Sequence, residues 1–252
     1  MVIRVKYTIF LDLEGTLLND NKEINSLSVN YLKELSKFHT IFLVSNMAYN
    51  NMNELLLKYD LDVNIYSSND GIYKINNKVY YDEISCEFIN EVKDGIYTCF
   101  LENKDYVSII NYQERLKTFY PNKIMSDIKN PTVVTISIFN DYFDKLLAVI
   151  SSYKYSINII GKDAKKTLLK ISKNGLTKGN FAYSIIKETK DKIIAVTDHI
   201  NDKDLLDLSD IKIAMKNSDD EVKKHANIIT EYDNNNDGCM IEIYNLIKKI
   251  TH

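Results

Sequence analysis

Asp12 and Glu14 stand two residues apart, directly after the apolar run Tyr7-Thr-Ile-Phe-Leu. On an extended backbone that spacing turns both side chains to one side. Two carboxylates so placed repel each other, so a cation or a shared proton is expected beside them. Three further clusters carry reactive or ligating groups: Ser45-Asn46, Lys178, and Asp198 with Asn201 and Asp202. Brought together, these carboxylates with a serine and a lysine would suit a hard divalent cation and an anionic substrate. Oxygen donors are plentiful while histidine and thiolate donors are sparse, which favours Mg²⁺.

The elements around these residues explain how they could meet. The stretch ending at Asp12 is apolar throughout instead of alternating, as in a strand buried on both faces of a parallel sheet. After a turn at 19–24, a helix is expected with Asn25 or Ser26 as N-cap and Leu27, Tyr31, Leu32, Leu35 and Phe38 as its apolar stripe. A second buried strand, Thr40-Ile-Phe-Leu-Val44, stops at Ser45-Asn46, and a helix over 48–59 leads to a strand at 63–67. This β-α-β-α-β order predicts a doubly wound parallel sheet. The pattern resumes at Gly175, with helix 177–188, strand 192–197, short helix 202–208, strand 211–214, helix 218–225, strand 227–230 and a terminal helix over 239–250. Apart from Lys178, each cluster falls just past the carboxyl end of a predicted parallel strand, where an open α/β sheet forms its ligand crevice.

Between these halves the pattern changes. Two short strands, 72–75 and 78–81, flank a tight turn at Asn76-Asn77. A helix over 83–93, strands 95–101 and 105–110, a helix over 111–119, a strand over 132–139, a helix over 141–152 and strands 154–160 and 166–171 follow. Helix followed by paired strands, occurring twice, predicts an α+β module with an antiparallel sheet. The expected division is a core of 1–81 with 172–252 and an inserted module of 82–171.

Composition sets outer bounds. With 252 residues, 45% hydrophobic and 27% charged, the chain can bury a substantial core and is not disordered. A net charge of −3 gives no field suited to nucleic acid or an anionic membrane. Cys86, Cys99 and Cys239 form no CxxC pair, which argues against a disulfide framework and for a reducing compartment. The N-terminus lacks the apolar core of a signal peptide, and no apolar run approaches the ~20 residues of a membrane span. A cytoplasmic protein acting on a small molecule, monomeric or weakly dimeric, is the expectation.

The order Asp12-x-Glu14-Gly-Thr-Leu, Ser45-Asn46, Lys178-Gly179 and Asp198-x-x-Asn201-Asp202 resembles the haloacid dehalogenase superfamily. It looks closest to the Cof-type phosphatases, whose inserted α+β cap (type IIB) lies between the second and third motifs. Ser68-Asn69-Asp70-Gly71 and Ile213-Ala-Met-Lys-Asn-Ser218 also fall where that family keeps similar residues, so the resemblance covers nearly the whole chain. It implies a Mg²⁺-dependent phosphatase of sugar phosphates or phosphorylated cofactors. Asp12 would be the nucleophile, forming an aspartyl-phosphate. Metal ligation would come from the Asp12 carboxylate, the Glu14 backbone carbonyl and Asp198. Asp202, counted with the metal group, would hold a metal-bound water or position Lys178. Lys178 would cover a phosphoryl oxygen and orient Asp12. Ser45 and the Asn46 amide would bind the remaining oxygens, and Asn201 would contact substrate or fix its loop.

Three departures qualify that reading. Glu14 stands where the family usually has an aspartate acting as general acid, and its extra methylene adds ~1.5 Å of reach. Ser45-Asn46-Met47 replaces a Thr-Gly-Arg string and lacks its arginine. Thr197 stands in place of the usual glycine, and its β-branch restricts close backbone approach. Two alternatives therefore accompany the phosphatase: a catalytically weak phosphometabolite sensor and a phosphosugar mutase. His199 reads as a surface or substrate-edge residue, Arg115 as a solvated helix position within reach of an anionic substrate, and Tyr106, Tyr112 and Tyr120 as packing or cleft residues.

Overall fold

The computed structural model describes residues 5–102, 107–111 and 131–251. Arg115, Tyr106, Tyr112, Tyr120 and, apart from Asn111, the helix expected over 111–119 lie outside the described residues.

The chain begins β1 (Tyr7–Asp12), α1 (Ser26–Leu35), β2 (Thr40–Ser45), α2 (Tyr49–Tyr59) and β3 (Asn64–Ser67). Next comes the pair β4 (Ile72–Ile75) and β5 (Lys78–Tyr81). Asn76 and Asn77 between them both adopt positive φ, 48° and 63°, as a two-residue hairpin turn requires. There follow α3 (Phe88–Val92), β6 (Ile96–Glu102), β7 (Val107–Asn111), β8 (Val133–Phe139), α4 (Phe143–Tyr153), β9 (Tyr155–Lys162) and β10 (Lys166–Lys173). The chain closes with α5 (Lys178–Ile186), β11 (Lys192–Thr197), α6 (Lys203–Asp207), β12 (Ile211–Ala214), α7 (Asp220–His225), β13 (Ile228–Ile229) and α8 (Gly238–Thr251).

Eight strands form one sheet in the order β13-β12-β11-β1-β2-β3-β4-β5, with parallel pairing from β13 through to β3. All six residues of β1 are buried, which is why its sequence is apolar without alternation. Phe10 stacks on Phe42 at 5.2 Å and Tyr66 on Phe181 at 4.1 Å, tying β1, β2 and β3 to α5. The register pairs Leu11 with Val196 and Asp12 with Val44, so the carboxyl ends of β11, β1 and β2 arrive at one level. That alignment places Asp12 between Thr197 and Ser45.

The chain packs as two compact units: Met1–Asn69 with Tyr73–Val79 and Thr177–His252, and Asp70–Ile72 with Tyr80–Leu176. The second unit holds an antiparallel sheet ordered β7-β6-β8-β10-β9, with Phe88, Ile89, Leu146 and Ile150 of α3 and α4 buried in its core. Strand β10 runs to Lys173, still paired with Tyr155 of β9, and Ser156 Oγ donates to Asn174 Oδ1 at 2.9 Å. Residues 172–176 therefore belong with the inserted unit.

Two expected helices differ. The inward residues of α1 are Ser28, Leu32 and Leu35, while Leu27 and Phe38 are exposed. Ser28 is held inward because its hydroxyl donates to Asp237 Oδ1 at 2.5 Å, and the helix ends before Phe38 is reached. The helix expected over 83–93 is reduced to α3, and the residues before it are held by contacts outside any helix. Ile84 N donates to Pro131 O at 2.8 Å and Ser85 N to the Tyr155 hydroxyl at 2.8 Å. Among the described residues, no helix is long and apolar enough to cross a membrane.

Candidate active site

Strand β1 ends at Asp12, and the chain then bends through 13–17, with Glu14 extended and Gly15 at φ 70°. The bend sends the two acids to different surroundings. Asp12 is buried, and its Oδ1 accepts from Leu13 N at 2.7 Å and from Lys178 Nζ at 2.7 Å. Glu14 is half exposed and pairs with Lys22 at 2.8 Å. The expectation of two parallel side chains on one strand thus yields to a bend that begins one residue after the nucleophile candidate.

Lys178 opens α5, whose N-cap Thr177 accepts from Asn180 N at 3.0 Å. A lysine at a helix start is ordinarily solvated. This one is only 6% exposed, because its Nζ bridges Asp12 Oδ1 and Asp202 Oδ2, each at 2.7 Å. Gly179 lets the start of α5 lie close to Asp204 of α6, since a Cβ there would sit 2.3 Å from that carboxylate. Asp202 Oδ2 also accepts from the Thr197 hydroxyl at 2.8 Å.

Asp198 lies beside the bend, and Thr16 Oγ1 is 3.5 Å from its Oδ1. Gly15 is required at that contact, since a Cβ would fall 2.0 Å from Asp198 Oδ2. Its carbonyl is held from outside by Asn217 Nδ2 at 2.8 Å. Across the cleft, Ser45 ends β2 and its Oγ accepts from Met47 N at 3.0 Å. Ser68 Oγ lies 3.1 Å from the Ser45 carbonyl and 2.5 Å from Asn46 Oδ1, while Asn69 Nδ2 donates to the Asn46 carbonyl. These contacts brace the 45–47 loop. Asn201 and His199 are exposed at the rim, where Asn201 N donates to His199 Nδ1 at 3.2 Å.

Asp12, Glu14, Gly15, Ser45, Asn46, Lys178, Asp198, His199, Asn201 and Asp202 line one cleft of about 330 Å³. Three carboxylates around one ammonium leave this cleft with excess negative charge. Burial pushes the Asp12 carboxyl up to about 7; the Lys178 ammonium opposes the shift, and Asp202 and Asp198 add to it. Burial likewise raises Asp198, partly offset by a hydrogen bond with Asp12. Burial works against the Lys178 charge too, but Asp12 and Asp202 outweigh it and its pKa rises.

The donor set suits a small hard cation. Among the described residues, no three His, Cys, Asp or Glu side chains form a ready cage. Mg²⁺ asks for none, because it is commonly held by one or two carboxylates, waters and substrate phosphate. Lys178 takes one oxygen of Asp12 and, with Thr197, one oxygen of Asp202, while the Glu14 carboxylate pairs with Lys22. The carboxylates that could face a metal are Asp12, Asp198 and Asp202.

Sequence reasoning treated Thr197 as a departure without assigning it a contact, singled out the stretch holding Asn217 without giving that residue a role, and missed Lys22. Nothing local marks an asparagine 202 positions away in sequence as the support of Gly15.

A doubly wound parallel sheet carrying a buried Asp-Lys-Asp cluster at its carboxyl edge defines the class of α/β protein. Residues 9–243 match the family model of haloacid dehalogenase-like hydrolases, and the chain belongs to that family. Its fold is shared by the TM0651 protein of Thermotoga maritima, with 20% identity, TM-score 0.68 and coverage of 96% of this chain and 97% of that one. It is shared also by the phosphatase BT1666 of Bacteroides thetaiotaomicron, with 15% identity, TM-score 0.65 and coverage of 97% and 96%. A subclass IIB sugar phosphatase, BT4131, gives 20% identity, TM-score 0.60 and coverage of 96% and 98%. The chloroplastic endoribonuclease YBEY of Arabidopsis thaliana is 23% identical over 275 residues, covering 94% of this chain and 46% of that protein. The chain thus spans about half the length of the curated relative it matches.

Proposed function

We propose that this chain is a Mg²⁺-dependent phosphatase of small phosphorylated metabolites such as sugar phosphates or phosphorylated cofactors. The observation that carries the reading is the buried bridge from Asp12 through Lys178 to Asp202, beside Asp198, at the carboxyl edge of the sheet. Asp12 and Asp198, with the Glu14 backbone carbonyl, would hold the metal. When bound, Mg²⁺ supplies charge neutralisation between the anionic nucleophile and the phosphoryl group.

The chain's own residues perform the remaining work. Leu13 N and Lys178 tie down Asp12 Oδ1, so Oδ2 is the oxygen assigned to attack phosphorus. An Oδ2–P bond forms as the bond from phosphorus to the leaving oxygen breaks, giving an aspartyl-phosphate. Glu14, after turning from Lys22 and taking a proton from solvent, gives that proton to the departing alkoxide. In the second step Glu14 takes a proton from water as the water oxygen displaces Asp12. Two N–H groups of Lys178 are used by Asp12 and Asp202, leaving the third for a phosphoryl oxygen. The Ser45 hydroxyl and the Asn46 amide bind the others, and Asn201 meets substrate at the rim. A panel of phosphorylated metabolites assayed with Mg²⁺ and with EDTA tests this; no phosphate release with Mg²⁺ from any member overturns it.

The Glu14–Lys22 pair supports a second reading, a phosphometabolite sensor with little turnover, because it holds the acid's carboxylate on a partner. Under it, ligand with Mg²⁺ raises the melting temperature without phosphate release, and Glu14→Asp, too short to keep the Lys22 contact, gains release. Rapid turnover by the natural protein disposes of the sensor. Phosphate moved within a sugar, with none set free, would instead identify a mutase.

A further inference from the structure

We infer that Thr197 is a positioning residue for Lys178, acting through Asp202. The inference rests on the phosphatase reading for its kinetic consequence but not for its structural one. Thr197 is the last residue of β11 and is fully buried. Its hydroxyl touches two groups of the following turn: Asp202 Oδ2 at 2.8 Å and His199 N at 3.3 Å.

The direction of these bonds follows from chemistry. A backbone N–H can only donate, so the Thr197 oxygen accepts from His199 and the single hydroxyl proton is directed at Asp202. Asp202 Oδ2 therefore receives one donor from Thr197 and one from Lys178. The β-branch gives Thr197 few rotamers in a strand, so the hydroxyl is a fixed reference point.

The consequence reaches the nucleophile by three short bonds, Thr197 to Asp202, Asp202 to Lys178 and Lys178 to Asp12. Lys178 Nζ is aimed by its two acceptors, Asp12 Oδ1 and Asp202 Oδ2. With both acceptors fixed, the direction of the third N–H is fixed as well. Loss of the Thr197 hydroxyl frees the Asp202 carboxylate to turn, and the third N–H loses its aim. The expected defect therefore lies in turnover more than in ground-state binding.

The test compares Thr197→Val, which keeps shape and removes the hydroxyl, with Thr197→Ser, which keeps the hydroxyl. Valine is expected to lower kcat about 10- to 100-fold, with KM changed by no more than about two-fold. Serine is expected to restore most of the loss. Crystal structures of both variants provide a readout independent of activity: Asp202 should leave its wild-type rotamer in the valine variant and keep it in the serine variant. An unmoved Asp202–Lys178 contact in Thr197→Val, or a serine variant as impaired as the valine one, overturns the inference. If the natural protein releases no phosphate, the phosphatase reading fails by itself, and the placement of Asp202 in the two variants still decides the role of Thr197.

Discussion

Lys178→Met is expected to lose both activity and stability. Methionine fills much of the same volume but leaves Asp12 and Asp202, both buried, without the ammonium that now bonds each at 2.7 Å. Breaking a buried pair by removing one partner costs about 3–5 kcal/mol, since an uncompensated charge remains in a poorly solvated place. Urea unfolding followed by circular dichroism should show a loss of that order. Phosphate release should fall on the order of 10²- to 10³-fold, as when one preorganised donor to a transition-state oxygen is removed. A variant that is inactive yet as stable as the natural protein would show that Lys178 does not compensate the two carboxylates.

Asp12→Asn, at the other end of the same bond, is expected to abolish activity without loss of stability. The amide cannot act as the nucleophile, so release should drop on the order of 10⁴-fold or more. Its carbonyl oxygen can still accept from Leu13 N and Lys178, and one of three crowded negative charges is gone. The sign of the pH dependence follows from the raised Asp12 carboxyl, at about 7 against an ordinary 3.8. An acid whose pKa is higher folded than unfolded holds its proton more tightly in the native state, so it subtracts stability as pH rises through that interval. In EDTA, the asparagine variant should gain on the natural protein between about pH 4 and pH 7, with a constant gap above. Thermal melts across that range check it, and a gap that narrows with rising pH would contradict the charge crowding inferred for the cleft.

Much of this site was legible because parallel strands write their ends plainly. Buried runs such as Tyr7–Leu11 and Ile193–Thr197 stop at the carboxyl edge of the sheet, and the residues just beyond them are Asp12 and Asp198. The alternation of strands and helices then implied a shared edge. What could not be read was local direction. Asp12 and Glu14 diverge because the chain leaves the extended conformation at Leu13, and the choice of Lys22 as partner for Glu14 depends on how the 19–24 turn folds back. Burial of Lys178 was likewise hidden, since it depends on two aspartates 166 and 24 positions away. The extent of α3 was lost for a related reason: the partners of Ile84 and Ser85 lie 47 and 70 positions downstream, at Pro131 and Tyr155.

The placement of β1 between β2 and β11 also sets a timetable for the newly made chain. One edge of β1 finds its partner early, when residues 40–45 are made. The other must wait until residues 192–197 have been synthesised. At 5–20 residues per second, the ~150 residues between those partners take roughly 8 to 30 seconds to appear. Throughout that interval a mostly apolar strand offers an open row of backbone donors and acceptors, a template for pairing with other chains. Asp12 thus precedes Lys178, Asp198 and Asp202 by 166 residues or more, and its surroundings are completed only when those three emerge.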